Sequence, residues 1–516
     1  VTCRIACAAI LACALTGCGQ SSGQAPPEAG AATITAAEAR NPSFCGRCHP
    51  DQYSDWLKSM HAYAGDDPVF RAMNARGQRE TDGGLGTFCI NCHDPMAVRD
   101  GLTDSGLDLD RKVPPQEHGV TCIFCHSITS VTGTHNAALG LSNDLVMRGE
   151  YSDPVPNGVH DSTYSPLLDY NKADSAKACG ACHDIVTPLG AHIERTFAEW
   201  EGSAFSMPGG NTCADSSCHM LQRPDVPIAQ NVAVAVPKRT LHHHDFPAVD
   251  VQLGAAADSG SAASLVAGVE NKLANSMVGA LCVARLPTGG GIRVVLDAFN
   301  VGHDFPSGAA QDRRLWAEVN AYSGASTVPY YSSGQVDVTS SPLDSAGDPD
   351  RWVMRDCIFG ADGGEVHMFW QAAGGAGGAD TDDNALPALQ AFVGDPRANA
   401  SHVKKNFPQD GSPLSVFPDR VTLNLWLQPV GRDVLDDLVD SGDLDPSIIA
   451  SMPLFPVPFG PGPDQVQLVW TADAAADSGI GSFPDSVNLQ ATVTCVGSLK
   501  GAAVSVPAAK HTRCAP

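Results

Sequence analysis

The 516-residue chain changes its hydrophobic rhythm once. Between residues 41 and 237 apolar runs are short, and glycine and proline recur too often for long regular elements. From about residue 241 onward, apolar and polar positions alternate with period two in the segments 292–299, 315–322, 421–428, 466–470 and 487–496. These segments are rich in branched and aromatic residues and are separated by Gly, Pro, Asp and Ser, which predicts strands. Alternation turns one face of each strand inward, so residues 241–516 read as a β-sandwich-like domain. Residues 374–378, glycine-rich, and 380–383, acidic, read as a surface loop. The earlier region predicts short helices and loops, and the whole is α+β.

One helix in that first region is explicit. Pro50 suits a first turn, Tyr53, Trp56, Leu57 and Met60 fall on one face, and Gly65 ends the segment. His61 follows Leu57 by one turn and projects from the same side.

The chemistry lies in the cysteines. Four copies of Cys-x-x-Cys-His, Cys45/Cys48/His49, Cys89/Cys92/His93, Cys122/Cys125/His126 and Cys179/Cys182/His183, are followed by a stretched copy, Cys213/Cys218/His219. This spacing attaches haem c: two thiols form thioethers with the porphyrin vinyl groups, and the adjacent histidine then lies under the ring within reach of the iron. In the fifth copy two extra residues can bulge outward while both sulfurs keep their places. Paired cysteines also bind zinc, but zinc does not require a histidine directly after each second cysteine. A disulfide or redox role requires no adjacent histidine either. Five covalently attached haems c are therefore the expected cofactors. With roughly forty residues per motif, the porphyrins must supply most of the apolar core of residues 41–240, and the haem-free region is not expected to fold.

The start of the chain carries Arg4, an apolar run over residues 5–15, and Leu15-Thr16-Gly17-Cys18, which resembles a bacterial lipobox. Residues 1–18 thus read as a lipoprotein signal peptide, with lipid on Cys18, and 19–40 as a flexible tether. Localisation is expected to be periplasmic or cell-surface, with the outer membrane favoured. An ordinary cleaved signal is the alternative. Beyond the signal, Cys18 and the ten motif cysteines, Cys282, Cys357, Cys495 and Cys514 remain. In an oxidising compartment these allow two disulfides, for which Cys282–Cys357 and Cys495–Cys514 are the expected pairs, with the other two pairings open. The net charge of −25 excludes nucleic acid as a partner and suits a basic redox protein of the cell envelope.

These motifs together resemble bacterial multihaem cytochromes c whose haem region is followed by a β domain with a Gly-His-x-Phe-Pro-x-Gly motif. The matching stretches are CGRCHPDQYSDWLKSMH, GVTCIFCHSI, CGACHDIVTPLGAHIERTFAEW, SSCHM, HDFPAVD and NVGHDFPSGAAQDRRLW. They cover most of residues 41–320, and the likeness recurs near 420–445. The resemblance implies His61, His160, His244 and His303 as distal iron ligands. The stretched fifth motif departs from the family pattern, as does His118 before Gly-Val-x-Cys. For the remaining iron His118, His135 and His192 compete, with His118 preferred for its closeness to the third motif. Gly302 and Pro306 around His303 also read as backbone shaped to approach a porphyrin. A weaker repeat, Trp56-x-x-Ser59 and Trp200-x-x-Ser203, has Phe205 where the first copy has His61.

Three functions follow from these readings. The first is electron transfer by a pentahaem lipoprotein. The second is reduction or oxidation of a small nitrogen or sulfur compound at one five-coordinate haem, and the third is a subunit role in an extracellular cytochrome assembly. The supply of histidines favours transfer, and no catalytic motif outside the haem sites competes.

Overall fold

A computed structural model describes residues 34–257, 259–337, 339–344, 346–375, 381–389, 403–462, 465–473, 493–498 and 514. The architecture is α+β. Two larger antiparallel sheets and a small three-stranded one, built on Asp356–Phe359, form the C-terminal part. In the first, Val403–Phe407, Gly289–Ala298, Met277–Leu286 and Val493–Gly497 lie side by side in that order. In the second, Tyr331–Ser333, Arg314–Tyr322, Arg420–Gln428 and Phe455–Pro456 are neighbours, with Trp352–Met354 and Leu468–Thr471 as extra partners.

Alternation explains how they pack. Leu281, Val283, Ile292, Val294 and Leu296 of one sheet share a single core with Leu315, Ala317, Val319, Leu423, Leu425 and Leu427 of the other. Their opposite neighbours, Ala280, Cys282, Ala284, Val295 and Cys495, form a second small core on the outer face of the first sheet. The strand segments around 292, 315 and 421 are found within a few residues of their expected ends. The segment expected from 466 is a strand at Leu468–Thr471, and that expected from 487 is described only as Val493–Gly497.

Other features depart from expectation. The helix Gly260–Leu273 sends Leu265, Val269 and Leu273 into the shared core, and Arg432–Asp440 sends Val434, Leu435 and Leu438 there. Residues 381–383, read as loop, form the strand Thr381–Asp383 against Asp356–Phe359, while 376–380 lie outside the described residues. The lipobox and most of the tether also lie outside them. Residues at the end of that supposed tether fold: Thr35 closes a capping box with Glu38 on the helix Ala36–Arg40, and Arg40 pairs with Asp100. The boundary set at residue 240 falls inside a strand, Lys238–His242, which pairs with Gln222–Pro227.

The disulfides correct the expected pairing. Cys282 joins Cys495 and Cys357 joins Cys514. The reason is sheet register: Cys282 and Cys495 stand directly opposite on adjacent strands, with Cα atoms 4.1 Å apart. The Cys282–Cys495 bridge spans 213 residues. Replacing both by alanine is expected to cost about 2–5 kcal/mol of stability, measurable as a lower denaturation midpoint.

The N-terminal part has no comparable core. Its buried groups are small satellites, such as Ile34, Ala39, Met96, Ile123 and Phe124, or Phe70, Ile90, Ala97, Leu109 and Val113. Short strand pairs, among them Ile128–Val131 with Leu139–Leu141, supplement the expected helices and loops. The helix Pro68–Glu80 docks on the sandwich side through Arg76–Asp437 and Arg79–Asp443 ion pairs and the Trp370 Nε1–H bond to Glu80. Among the described residues no helix is long and apolar enough to cross a membrane.

Candidate haem-binding site

The small satellites surround a continuous cavity of about 1270 Å³. All ten motif cysteines and all five motif histidines line it, together with His61, His160, His244 and His303. Each motif is a single helical turn. His49, His93 and His183 donate their backbone N–H to the carbonyl of the first cysteine of their own motif at 2.8, 3.2 and 3.1 Å, and Cys122–His126 is itself one α-helical turn. The stretched motif keeps this closure: His219 N–H donates to the Cys213 carbonyl at 3.1 Å. The two extra residues are looped out by Asp215, whose carboxylate accepts from Ser217 N–H at 2.9 Å and Ser217 Oγ at 2.8 Å. The expected outward bulge is what the local chemistry builds.

Side-chain hydrogen bonds aim the imidazoles. The Nδ1–H of His49 donates to the Ile228 carbonyl at 2.8 Å, that of His93 to Ala64 at 3.2 Å, that of His126 to Arg148 at 2.5 Å and that of His219 to Pro247 at 3.0 Å. His244 and His303 do the same with the His242 and Asp304 carbonyls, both at 2.8 Å. A carbonyl accepts only, so Nδ1 carries the proton and the Nε2 lone pair faces the cavity. Enclosure by protein holds His61 down at about 3 and His93, His219 and His244 at about 4. These rings are neutral at pH 7, the form that binds metal.

Three histidine pairs face one another. Ring centroids of His49 and His160 are 6.2 Å apart, those of His61 and His183 6.2 Å, and those of His219 and His303 6.3 Å. Two imidazoles sharing one metal through ~2 Å bonds, each centroid another ~1 Å behind its nitrogen, stand roughly 6 Å apart. The thiols, the free Nε2 atoms and these separations therefore fit haem c. His244 lies near His126, which lowers its basicity further after burial.

His93 is different. The phenyl of Phe70 stacks on its imidazole at 4.0 Å, and among the described residues no histidine ring stands across from it at the separation of the three pairs. His118, preferred for the unassigned iron, is spoken for: its Nδ1 meets Asp66 at 2.7 Å and its Nε2 the Val113 carbonyl at 3.1 Å. Both partners accept hydrogen bonds, so both ring nitrogens carry protons and neither has a lone pair for metal. The bond to Asp66 accordingly raises its pKa. Within the His242–His244 run, His242 and His243 turn to Glu150 and Asp55 at 3.3 and 2.9 Å.

The segment carrying His61 also departs from expectation. The helix Pro50–Trp56 stops, Leu57 is exposed, and Ser59 starts a new helix, Met60–Tyr63, by accepting from Ala62 N–H. Ser59 Oγ donates to the Trp56 carbonyl at 2.7 Å, and Ser203 Oγ to the Trp200 carbonyl at 2.8 Å. The weak repeat is thus a real local unit. It includes a contact that the sequence did not announce: a Cβ at Gly46 would lie 2.6 Å from Tyr53 Cδ1, and one at Gly180 2.2 Å from Phe197 Cδ2. Gly46→Ala is expected to lose about 1–3 kcal/mol by overpacking, whereas Gly202→Ala, with open space around it, should leave the thermal midpoint unchanged.

Gly302 faces Trp200 and Phe205, at 3.4 and 3.5 Å from its Cβ position. Glu199 braces this loop, accepting from Asp304 N–H at 3.1 Å and Ser307 Oγ at 2.6 Å. Its role was not visible in the motif pattern.

Cysteine neighbours set the spatial order of the motifs. Cys45 lies in hydrogen-bonding reach of Cys122, Cys92 of Cys182, and Cys179 of Cys213, while Cys179 and Cys182 act electrostatically on Cys125. The fourth motif therefore adjoins the second, third and fifth, and the first adjoins the third.

Residues 44–127 match the family described as cytochrome c554 and c-prime. No curated protein matches the chain. Among solved structures, the crystal structure of a penta-heme cytochrome c552 from Thermochromatium tepidum is similar in fold, with a TM-score of 0.53 at 18% identity, covering 81% of this chain and 98% of that one.

Proposed function

We propose that this chain is a multihaem c-type cytochrome that passes electrons through five covalently attached haems c. The observation that carries the reading is one cavity collecting ten cysteine sulfurs and five motif histidines, each motif closed by a turn. Bound haem supplies a one-electron couple at its iron. The cysteines tether each ring, the motif histidines take the proximal side, and the carbonyls at Nδ1 fix their orientation. His160, His61, His303 and His244 take the distal sides opposite His49, His183, His219 and His126. Saturation of these irons by imidazole suits transfer rather than chemistry on a substrate. Anchoring by lipid on Cys18, an outer-membrane location and a basic redox partner in the cell envelope belong to the same reading.

Mass spectrometry of the purified protein should give five haem additions, and the oxidised spectrum four low-spin haems to one high-spin. Pigment that leaves the protein in acidified acetone, or a high-spin majority, rejects this reading.

A second reading is favoured by the pairing of His93 with Phe70 in place of a histidine, and by the engagement of His118 elsewhere. The haem on Cys89 and Cys92 then keeps an open position for a small nitrogen or sulfur compound. Cyanide or nitrite should perturb about one fifth of the haem absorption. An unaltered spectrum at saturating ligand removes it.

A further inference from the structure

The stretched fifth motif is held by a residue that no motif assigns. The helix Gly260–Leu273 turns one side toward the turn at 213–219. Gly268 sits against Pro247, 3.1 Å from its Cβ position, and the Pro247 carbonyl accepts the Nδ1–H of His219. Four residues on, and hence on the same side of the helix, Lys272 Nζ donates to the carbonyl of Cys218 and, at 3.4 Å, to that of Ser217. Lys272 is half-buried and lines the cavity beside His219, whose basicity it lowers. The loop's own carboxylate, Asp215, is occupied by Ser217, and Asp245 is the other acid acting on Lys272. Leu273, the next residue, is fully in the shared core, so the ammonium is carried on a rigid support.

We propose that Lys272 is the positioning residue of the fifth haem site: it holds the lengthened Cys213–Cys218 loop in the closed turn and places a fixed positive charge beside that haem, making it easier to reduce than it would be without that charge. The inference rests on the multihaem reading. A reduced iron carries one positive charge fewer than an oxidised one, so a nearby cation that water cannot fully screen favours the reduced form. The charge lies at the site whose distal candidate, His303, comes from the sheet region.

The test uses the full-length holoprotein and spectroelectrochemical titration. Lys272→Gln keeps a donor for the Cys218 carbonyl and removes the charge. It should retain five haems and shift the reduction equilibrium of a single haem about tenfold toward the oxidised form, which is about 59 mV for one electron. Lys272→Arg should restore the original curve. Glu270→Gln, on the exposed side of the same helix, should leave it unchanged. Unaltered titration curves in Lys272→Gln overturn the proposal, as does a shift of the same size and opposite sign in Glu270→Gln, which would mean a diffuse charge effect. Should Lys272→Gln not accumulate, a Lys272→Arg curve displaced as far as tenfold is equally fatal. Fewer than five haems in the unaltered protein would instead reject the multihaem reading itself.

Discussion

His303→Ala is expected to convert one low-spin haem of the five to high-spin without loss of any haem from the protein. The covalent bonds to Cys213 and Cys218 do not involve His303, so stoichiometry is preserved. The loop also stays in place, because Asp304 N–H and Ser307 Oγ bond Glu199, Gly308 N–H bonds Thr196 at 2.9 Å, and Asp304 accepts from Ala388 N–H at 2.7 Å. What disappears is the ring 6.3 Å across from His219. Electron paramagnetic resonance of the oxidised protein reads the change directly, and added imidazole should reverse it by entering the vacated space. A mutant that keeps the low-spin count of the unaltered protein shows that His303 does not hold that iron.

The other large effect concerns the haem-free chain. With all ten motif cysteines replaced by serine, residues 34–240 are expected to lose their fold while the two sheets persist. Ten imidazoles, from His49 to His303, line a cavity whose metals and rings would be missing. An unsatisfied enclosed polar group costs about 1–3 kcal/mol, and a whole domain is stable by only about 5–15 kcal/mol. Satellite clusters of the size of Phe70, Ile90, Ala97, Leu109 and Val113 do not offset that. The sandwich core, drawn from both sheets, is independent of the cavity for most of its members. Hydrogen exchange followed by mass spectrometry should show fast amides before residue 240 and protected strands at Gly289–Ala298 and Arg420–Gln428. Protection throughout residues 34–240 in the haem-free chain contradicts the account.

What could be read in advance follows from how local each signal is. Period-two alternation is local, so the strands near 292, 315 and 421 were legible, and so were the motif turns, since both sulfurs and the histidine lie within one segment. The helix Gly260–Leu273 had its own signal, Ser259 as cap followed by Ala262, Leu265, Val269 and Leu273 at helical spacing, overlooked beside the strand pattern. Facing between distant segments is not local. His160 and His244 entered only through family resemblance, His303 through that and its flanking Gly302 and Pro306, and nothing in spacing says which imidazole meets which. The disulfides failed for the same reason: nearness in sequence suggested Cys282 with Cys357, whereas strand order decides it. His118 looked suitable because it is close to a motif, but its fate depends on Asp66, fifty-two positions away. Leu57 misled because Ser59 interrupts the helix before the apolar face is complete.

The arrangement of the motifs has a bearing on tolerance to damage. The turn around Cys179 and Cys182 adjoins three others, and the first motif reaches the rest through the third. In a graph of that shape the first, second and fifth sites are leaves, and the third and fourth are articulation points. Losing a leaf leaves a connected circuit, losing the third site cuts off the first, and losing the fourth splits the rest into three pieces, so under the proposed electron-transfer function the weak points are the helical turns of the third and fourth motifs.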